Sequence, residues 1–335
     1  MKWTHTCFLL AILSSANVQA NIDQIKQQNA LLVLQQQSAN YFKQQAEQLH
    51  QSIHALCADK MRLAEAQKQW SATAIAWMYL QGQQRGPIDA IDRYWQVQYF
   101  PDKKNTTGRK LTHLTKTQSQ WTISALSKQS VSVQGIGAIE WLLFDPQSWL
   151  LSESYDCQTS VNIAGLLSLN AQFIEQQWQN YQWPELSLTQ WSATYLALIN
   201  SQLDYTIKKM SLMLGKPGNP KPYFAEFWRS QTSLLSLHTN LKSIRSNYLA
   251  GGSGLDATLR DQGHRQLADK IVATLNHLIE TWPESEQDKK LLTSRSGYQM
   301  LLSLNNQMGY LNHLFTEEAA IYLGVVVGFN STDGD

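Results

Sequence analysis

The chain predicts an all-α protein built as two helical bundles, and three observations carry that expectation. Apolar residues recur at steps of three and four through most of its length, the two-residue alternation of strands is nearly absent, and glycine and proline gather at a few points that cut the chain into helix-sized pieces. The chain is 335 residues long. That exceeds what a single core usually organises, so two bundles are expected rather than one.

The first 20 residues read as a secretory signal peptide. Lys2 precedes the apolar run 7–13, and Val18-Gln19-Ala20 forms a small-residue exit. Cys7 lies inside the apolar run rather than after it, which argues against a lipid anchor. Removal of 1–20 would deliver the chain to a periplasm. No later segment approaches the roughly 20 apolar residues of a membrane crossing, so no transmembrane helix is expected. The chain carries 27 basic and 26 acidic residues, and losing Lys2 balances them. A neutral chain is a poor partner for nucleic acid or an anionic membrane. Cys57 and Cys157 are the cysteines that remain. In an oxidising compartment they pair most simply as a disulfide, the alternative being two buried thiols.

Helices are expected in this order. Phe42, Ala46, Leu49, Ile53 and Leu56 mark one apolar stripe, and Leu63, Ala66, Trp70, Ala74 and Trp77 a second that ends before Gly86-Pro87. An irregular connection covers 99–109. Helices are then expected at 111–126, from 135 to Asp145-Pro146, at 157–178 and at 188–214. The loop 215–222, with three prolines and two glycines, reads as a hinge between an amino-terminal lobe (21–214) and a carboxy-terminal lobe (223–335). Helices at 223–248, 255–281 and 288–323 complete the second lobe.

The segment most suggestive of chemistry is Gly135-Ile136-Gly137-Ala138-Ile139-Glu140. Helical spacing puts Glu140 on a face with Ile136, Leu143 and Phe144. A carboxylate there needs a cation, a metal or hydrogen-bond donors, or else its pKa rises. A second constellation lies at Glu226-Phe227-Trp228-Arg229-Ser230, where helical spacing lets Glu226 and Arg229 pair. Arg229 heads a stripe of Ser233, Ser236, Asn240 and Ser243. That stripe reads either as a polar wall facing Glu140, with Arg229 holding the carboxylate or an anionic ligand, or as a close helix contact.

These segments resemble the imelysin family, in particular its predicted periplasmic lipoproteins and iron-associated envelope proteins. The family motif Gly-x-His-x-x-Glu is met by Gly135 and Glu140, with Gly137 at the histidine position. Trp77, Arg85-Gly86-Pro87, Phe100-Pro101-Asp102-Lys103, the 226–230 segment and the terminal 328–335 segment extend the resemblance over most of the chain. The resemblance implies two four-helix-type bundles, an envelope location, and a link to uptake of iron or another divalent metal, with an envelope iron-uptake protein as a partner. Some members are classed as metallopeptidases. Gly137 has no ligating side chain, which weighs against a hydrolytic zinc site on this motif.

Other candidates for ligands are thinner. His50 and His54 are four apart with no acid beside them, and His238 shares a side with Leu234, Leu235 and Leu241. Glu317, Glu318, Asp333 and Asp335 fit a solvated face and a chain end as well as a hard-cation site. Three functions remain. The first is a non-enzymatic protein holding a metal ion or small ligand between its lobes through Gly135, Gly137, Glu140, Glu226, Arg229 and Ser230. The second is a metal-dependent peptidase that recruits another ligand such as His238. The third is an adaptor in which Glu140 and Arg229 lock the lobes.

Overall fold

The computed structural model describes residues 6–117, 120–148, 150, 157–284 and 288–325. Residues 1–5 of the leader and the 328–335 segment, with Asp333 and Asp335, lie outside the described residues. The first half holds α1 (Thr6–Cys57), α2 (Leu63–Trp77), the short α3 (Ile88–Asp92) and α4 (Tyr94–Val97), α5 (Thr106–Thr117), the one-turn α6 (Ile123–Leu126), α7 (Gly135–Phe144) and α8 (Cys157–Gln179). The second half holds α9 (Leu188–Leu214), α10 (Ser233–Leu249), α11 (Leu255–Asp261), α12 (Arg265–Glu280), α13 (Asp288–Thr293), α14 (Arg295–His313) and α15 (Ala320–Tyr322). Among the described residues there is no strand, only an isolated bridge between Lys216 and Asn219, and no helix is long and apolar enough to cross a membrane.

Local chemistry explains where the helices differ from the expected bounds. The expected helix at 111–126 is two helices, and its first part starts earlier. The Asp102 carboxylate accepts from the backbone N–H of Thr106 (2.6 Å) and Thr107 (2.9 Å), satisfying two of the donors a helix start leaves open. The Thr122 hydroxyl accepts from Ala125 N–H to open α6 separately. The helix expected at 255–281 breaks where Gly263 takes a positive φ of 87°. The one at 288–323 restarts at Ser294, whose hydroxyl accepts from Gly297 N–H.

Buried apolar side chains form two clusters. One gathers Ala39, Phe42, Leu49, Trp70, Trp77, Trp141, Ile174 and Trp178. The other gathers Leu31, Trp191, Ile199, Met210, Ile244, Ile271, Leu304 and Phe315. Helix α1 therefore serves both. The buried apolar residues of α9 belong with Ala225 and those of 234–323, while Phe227 packs into the first cluster; the loop 215–222 thus joins parts of one cluster, and the main change of cluster falls between α8 and α9, where Trp183 packs against both.

Polar side chains fill the seam between the clusters. Gln35 of α1 donates to Asn247 (3.0 Å). Helix α2 stops at Trp77, and the carbonyls just beyond it are taken by the opposite side: Met78 O accepts from Gln202 and Asn240, and Tyr79 O from Ser243. Asn240 and Ser243 of the stripe on α10 thus meet the turn after α2 and not Glu140, while Ser236 bonds back to Thr232 O. The small residues of the stripe let the helix approach closely while satisfying backbone that burial would otherwise penalise.

Cys57 at the end of α1 and Cys157 at the start of α8, 100 positions apart in sequence, form a disulfide with Cα atoms 5.7 Å apart. Replacing both cysteines with serine is expected to lower unfolding stability by about 4 to 5 kcal/mol, the chain-entropy value for a loop of this length. Denaturant unfolding of the pair variant beside the wild type measures it, and an unchanged midpoint contradicts it.

Candidate functional site

Glu140 lies on α7, a helix that carries no other charged residue and is buried along nearly its whole length. The helix begins where it does because Gly135 adopts a φ of +72° and packs on the end of α4. A Cβ there would sit 2.1 Å from the Val97 carbonyl oxygen, so no other residue fits. Trp70 of α2 donates to Ile136 O (3.0 Å) and fixes the same turn from the other side.

The Glu140 side chain is buried, and three donors converge on its Oε1. They are Arg229 N–H (3.1 Å), Ser230 N–H (3.0 Å) and the Ser230 hydroxyl (3.0 Å). Among the described residues no donor reaches Oε2. Burial pushes the Glu140 carboxyl up to about 7, against the opposing pull of the Arg229 charge and of the bonds from Ser230 and Arg229.

The expected helix at 226–230 does not form. Phe227 and Gln231 have φ values of 58° and 57°, and α10 starts only at Ser233. Amides that would have entered a helical ladder point at the Glu140 carboxylate instead. The expected Glu226–Arg229 pair is absent for the same reason, because the irregular backbone turns the two side chains to different partners. Arg229 donates through Nε to Asp145 Oδ2 (2.7 Å) and through Nη2 to Asn105 Oδ1 (2.7 Å), and its guanidinium lies 4.3 Å over the Trp228 ring. Glu226 meets the buried Lys209 of α9 at 2.5 Å and accepts from Gln81 at 2.6 Å. Lys209 also donates to Gln81 and Asn240. Burial holds the Lys209 ammonium below the usual lysine range, against the pull of Glu226.

A crevice of about 30 Å³ opens beside this loop, lined by Gln98, Asp102, Gly137, Glu140, Glu226 and Arg229 among others. Gly137 gives it room. A Cβ at that position would find only the Gln98 amide, at 3.8 Å. Gln98 is 7 % exposed, and its Oε1 has no hydrogen-bond partner. The expected residues Gly137, Glu140, Glu226 and Arg229 therefore meet at one place, with Ser230 bonded to Glu140 and Gly135 shaping the start of α7.

A resident metal does not fit these residues. No group of three or more His, Cys, Asp or Glu residues that could hold an ion occurs among the described residues. Asp102 is committed to capping α5, and His238 is bonded to Ile279 O (3.1 Å) and stacked on Trp282. His50 stands beside Gly165 while His54 is exposed, and Glu318 pairs with Lys270. With Asp102 bonded to the start of α5 and Glu226 to Lys209 and Gln81, the Glu140 carboxylate and the Gln98 amide oxygen are the acid and amide oxygens the crevice leaves open among the described residues.

Three residues of the site escape a reading of the sequence. Asp145 precedes Pro146 and reads as a helix stop, and Gln98 sits in an irregular stretch. Lys209 did leave a signal: Gln202, Thr206, Lys209 and Met213 step along the buried face of α9 at helical spacing.

The fold and the buried motif glutamate define an all-helical protein of the imelysin type. The imelysin (peptidase M75) family model matches residues 35–312, and the chain belongs to that family. The crystal structure of an imelysin-like protein from Psychrobacter arcticum 273-4 is similar, with a TM-score of 0.76 at 18 % identity, over 92 % of this chain and 98 % of that one. A protein named as an iron-regulated protein A precursor from Parabacteroides distasonis ATCC 8503 superposes with a TM-score of 0.62 at 14 % identity, over 87 % and 95 % of the two chains. No curated protein matches the chain.

These contacts lead to two expected outcomes. In the folded protein Glu140 keeps its proton to higher pH than the ordinary 4.5 of the unfolded chain. Its contribution to stability is therefore full below about 4.5 and lost as pH rises through about 7. Wild-type stability should fall across that window by on the order of 3 kcal/mol more than that of Glu140→Gln, read from denaturant midpoints at stepped pH. Parallel curves would remove the raised carboxyl. Lys209→Met leaves Glu226 buried and unpaired and should cost roughly 3 to 5 kcal/mol, with Lys209→Met/Glu226→Leu recovering much of it. Equal losses in both variants would contradict a paired role.

Proposed function

We propose that the protein is a non-enzymatic periplasmic binding protein, exported by residues 1–20, whose crevice at Glu140 takes a partly hydrated metal cation as cargo. The observation that carries the reading is the lopsided satisfaction of Glu140. Its bonds from the described residues all fall on Oε1, in a crevice that also holds the unpartnered Gln98 Oε1 and the space left by Gly137. Two oxygens and room for water make an incomplete shell that a cation completes with its own waters. Such a shell binds exchangeably, as cargo handling requires.

The donor set also sets the preference among cations. With glycine at the motif histidine, the donors are oxygens only, which suits hard ions such as manganese or ferric iron over zinc. The iron-regulated name of one similar structure gives iron the first place in a trial. The peptidase reading has no support in these donors, since no group of three or more His, Cys, Asp or Glu residues that could hold a metal occurs among the described residues. A structural reading has one specific observation in its favour: the same three bonds on Oε1 tie α7 to the 225–231 loop.

Titration of the metal-free protein with manganese, ferric iron and zinc, followed by mass spectrometry of bound metal, separates these readings. Binding of the hard cations is expected to strengthen as pH rises through about 7, when Glu140 loses its proton, and to be lost in Glu140→Gln while that variant stays folded. No bound cation at pH 8 ends the cargo reading, and a large loss of stability in Glu140→Gln at that pH would leave the structural one.

A further inference from the structure

A second crevice lies on the other side of the 222–231 loop, between the end of α9, the start of α10, α13 and α14. Its walls are apolar and aromatic: Met213, Tyr223, Trp228, Leu292 and Leu301. At its base stand two buried polar groups. Asp288 is 7 % exposed and Ser233 is 2 % exposed. Asp288 Oδ2 accepts from Leu234 N–H (3.0 Å) and the Ser233 amide and hydroxyl lie against the same carboxyl, whereas Asp288 Oδ1 has no close hydrogen-bond partner and the Ser233 Oγ lone pairs stay open to a donor.

Among the described residues no cation pairs with Asp288. The adjacent Lys289 is turned away, its ammonium over the Tyr223 ring at 5.3 Å and its amide donating to Gln231. Burial pushes the Asp288 carboxyl up to about 6, against the opposing pull of hydrogen bonds from the Leu234 amide and from the Ser233 amide and hydroxyl. An anionic oxygen left open at the base of an apolar crevice is costly unless something that enters the crevice donates to it. The room is about 20 Å³, the size of an ammonium head rather than of a ring. The rim is aromatic, with Tyr223 and Trp228 packed edge to face at 4.9 Å, a surface that favours a cationic head and an apolar stem.

From this geometry we infer a binding site for a small primary alkylammonium ion, its N–H groups donating to Asp288 Oδ1 and Ser233 Oγ and its alkyl stem lying between Trp228 and the leucines. Anions are disfavoured by the carboxylate, and a wholly apolar ligand would leave both oxygens unpaired. The site stands apart from Glu140, although Tyr223, Ala225 and Trp228 line both crevices.

Propylammonium is the probe, followed by tryptophan fluorescence and by amide and indole NMR shifts of the full protein. Saturable binding is expected, with shifts at Leu234 N–H and the Trp228 indole. Tetramethylammonium, which has no N–H to donate, should not compete. Asp288→Asn keeps an acceptor for Leu234 but loses the charge, and it should weaken binding at least about tenfold. Unsaturable or scattered shifts in the wild type overturn the inference, as does undiminished binding in a folded Asp288→Asn. If that variant does not fold, the wild-type shifts and the tetramethylammonium control decide alone. None of these outcomes depends on Glu140 or on metal.

Discussion

The bond between the Glu140 carboxylate and the amides of Arg229 and Ser230 is the constraint around which the site is arranged. A carboxylate on a helix with no other charge must find donors, and α7 has none to offer. The donors come from 90 residues further along the chain, where the backbone gives up a helical ladder to provide them. That exchange explains why 225–231 is irregular in a protein otherwise made of helices. The loop is then fixed at both ends, by Glu226 on Lys209 and by Arg229 on Asp145, so the carboxylate is met by preorganised dipoles. Buried ion pairs add little net stability over apolar replacements, but they set geometry. Here the geometry they set is the position of the amides.

The same loop is shared by the two crevices, which gives the sequence between Pro222 and Gln231 a density of roles that its composition does not announce. Tyr223 and Trp228 face both crevices, Arg229 stacks on Trp228, and Lys289 sits over Tyr223. A change in one crevice has a short path to the other through these rings.

Much of the fold was legible because apolar spacing and glycine or proline breaks are local signals. The stripes of α1 and α2 and the limits of α7 and α9 can be read in this way, and the pairing of Cys57 with Cys157 follows instead from their being the two cysteines beyond the leader of a chain expected in an oxidising compartment. Glu140 was legible too, as a charge on an apolar face, and the family motif around it was recognisable despite Gly137. The features that escaped depended on distant partners. Residues 226–230 have helical spacing, and nothing local says that their amides are claimed by Glu140. Glu226 and Arg229 stand at the right interval to pair, yet Lys209 and Asp145 compete successfully from other elements. The stripe on α10 was recognised, but its counterpart is the turn at Met78 and Tyr79. The loop 215–222 has the composition of a hinge, while α9 shares its core with the helices beyond that loop, a fact that only three-dimensional packing holds.

Glu140 combines a carboxyl raised by burial with donors on one oxygen only, the state from which we propose it takes a cation. Carbon-13 NMR titration of the labelled Glu140 side-chain carboxyl, in metal-free protein and again with a diamagnetic hard cation such as magnesium in place of manganese, reads both features at the atom concerned. A midpoint near 7 is expected without the ion, with a clear downward shift when it binds. A midpoint in the ordinary range near 4.5, unmoved by the cation, would contradict both.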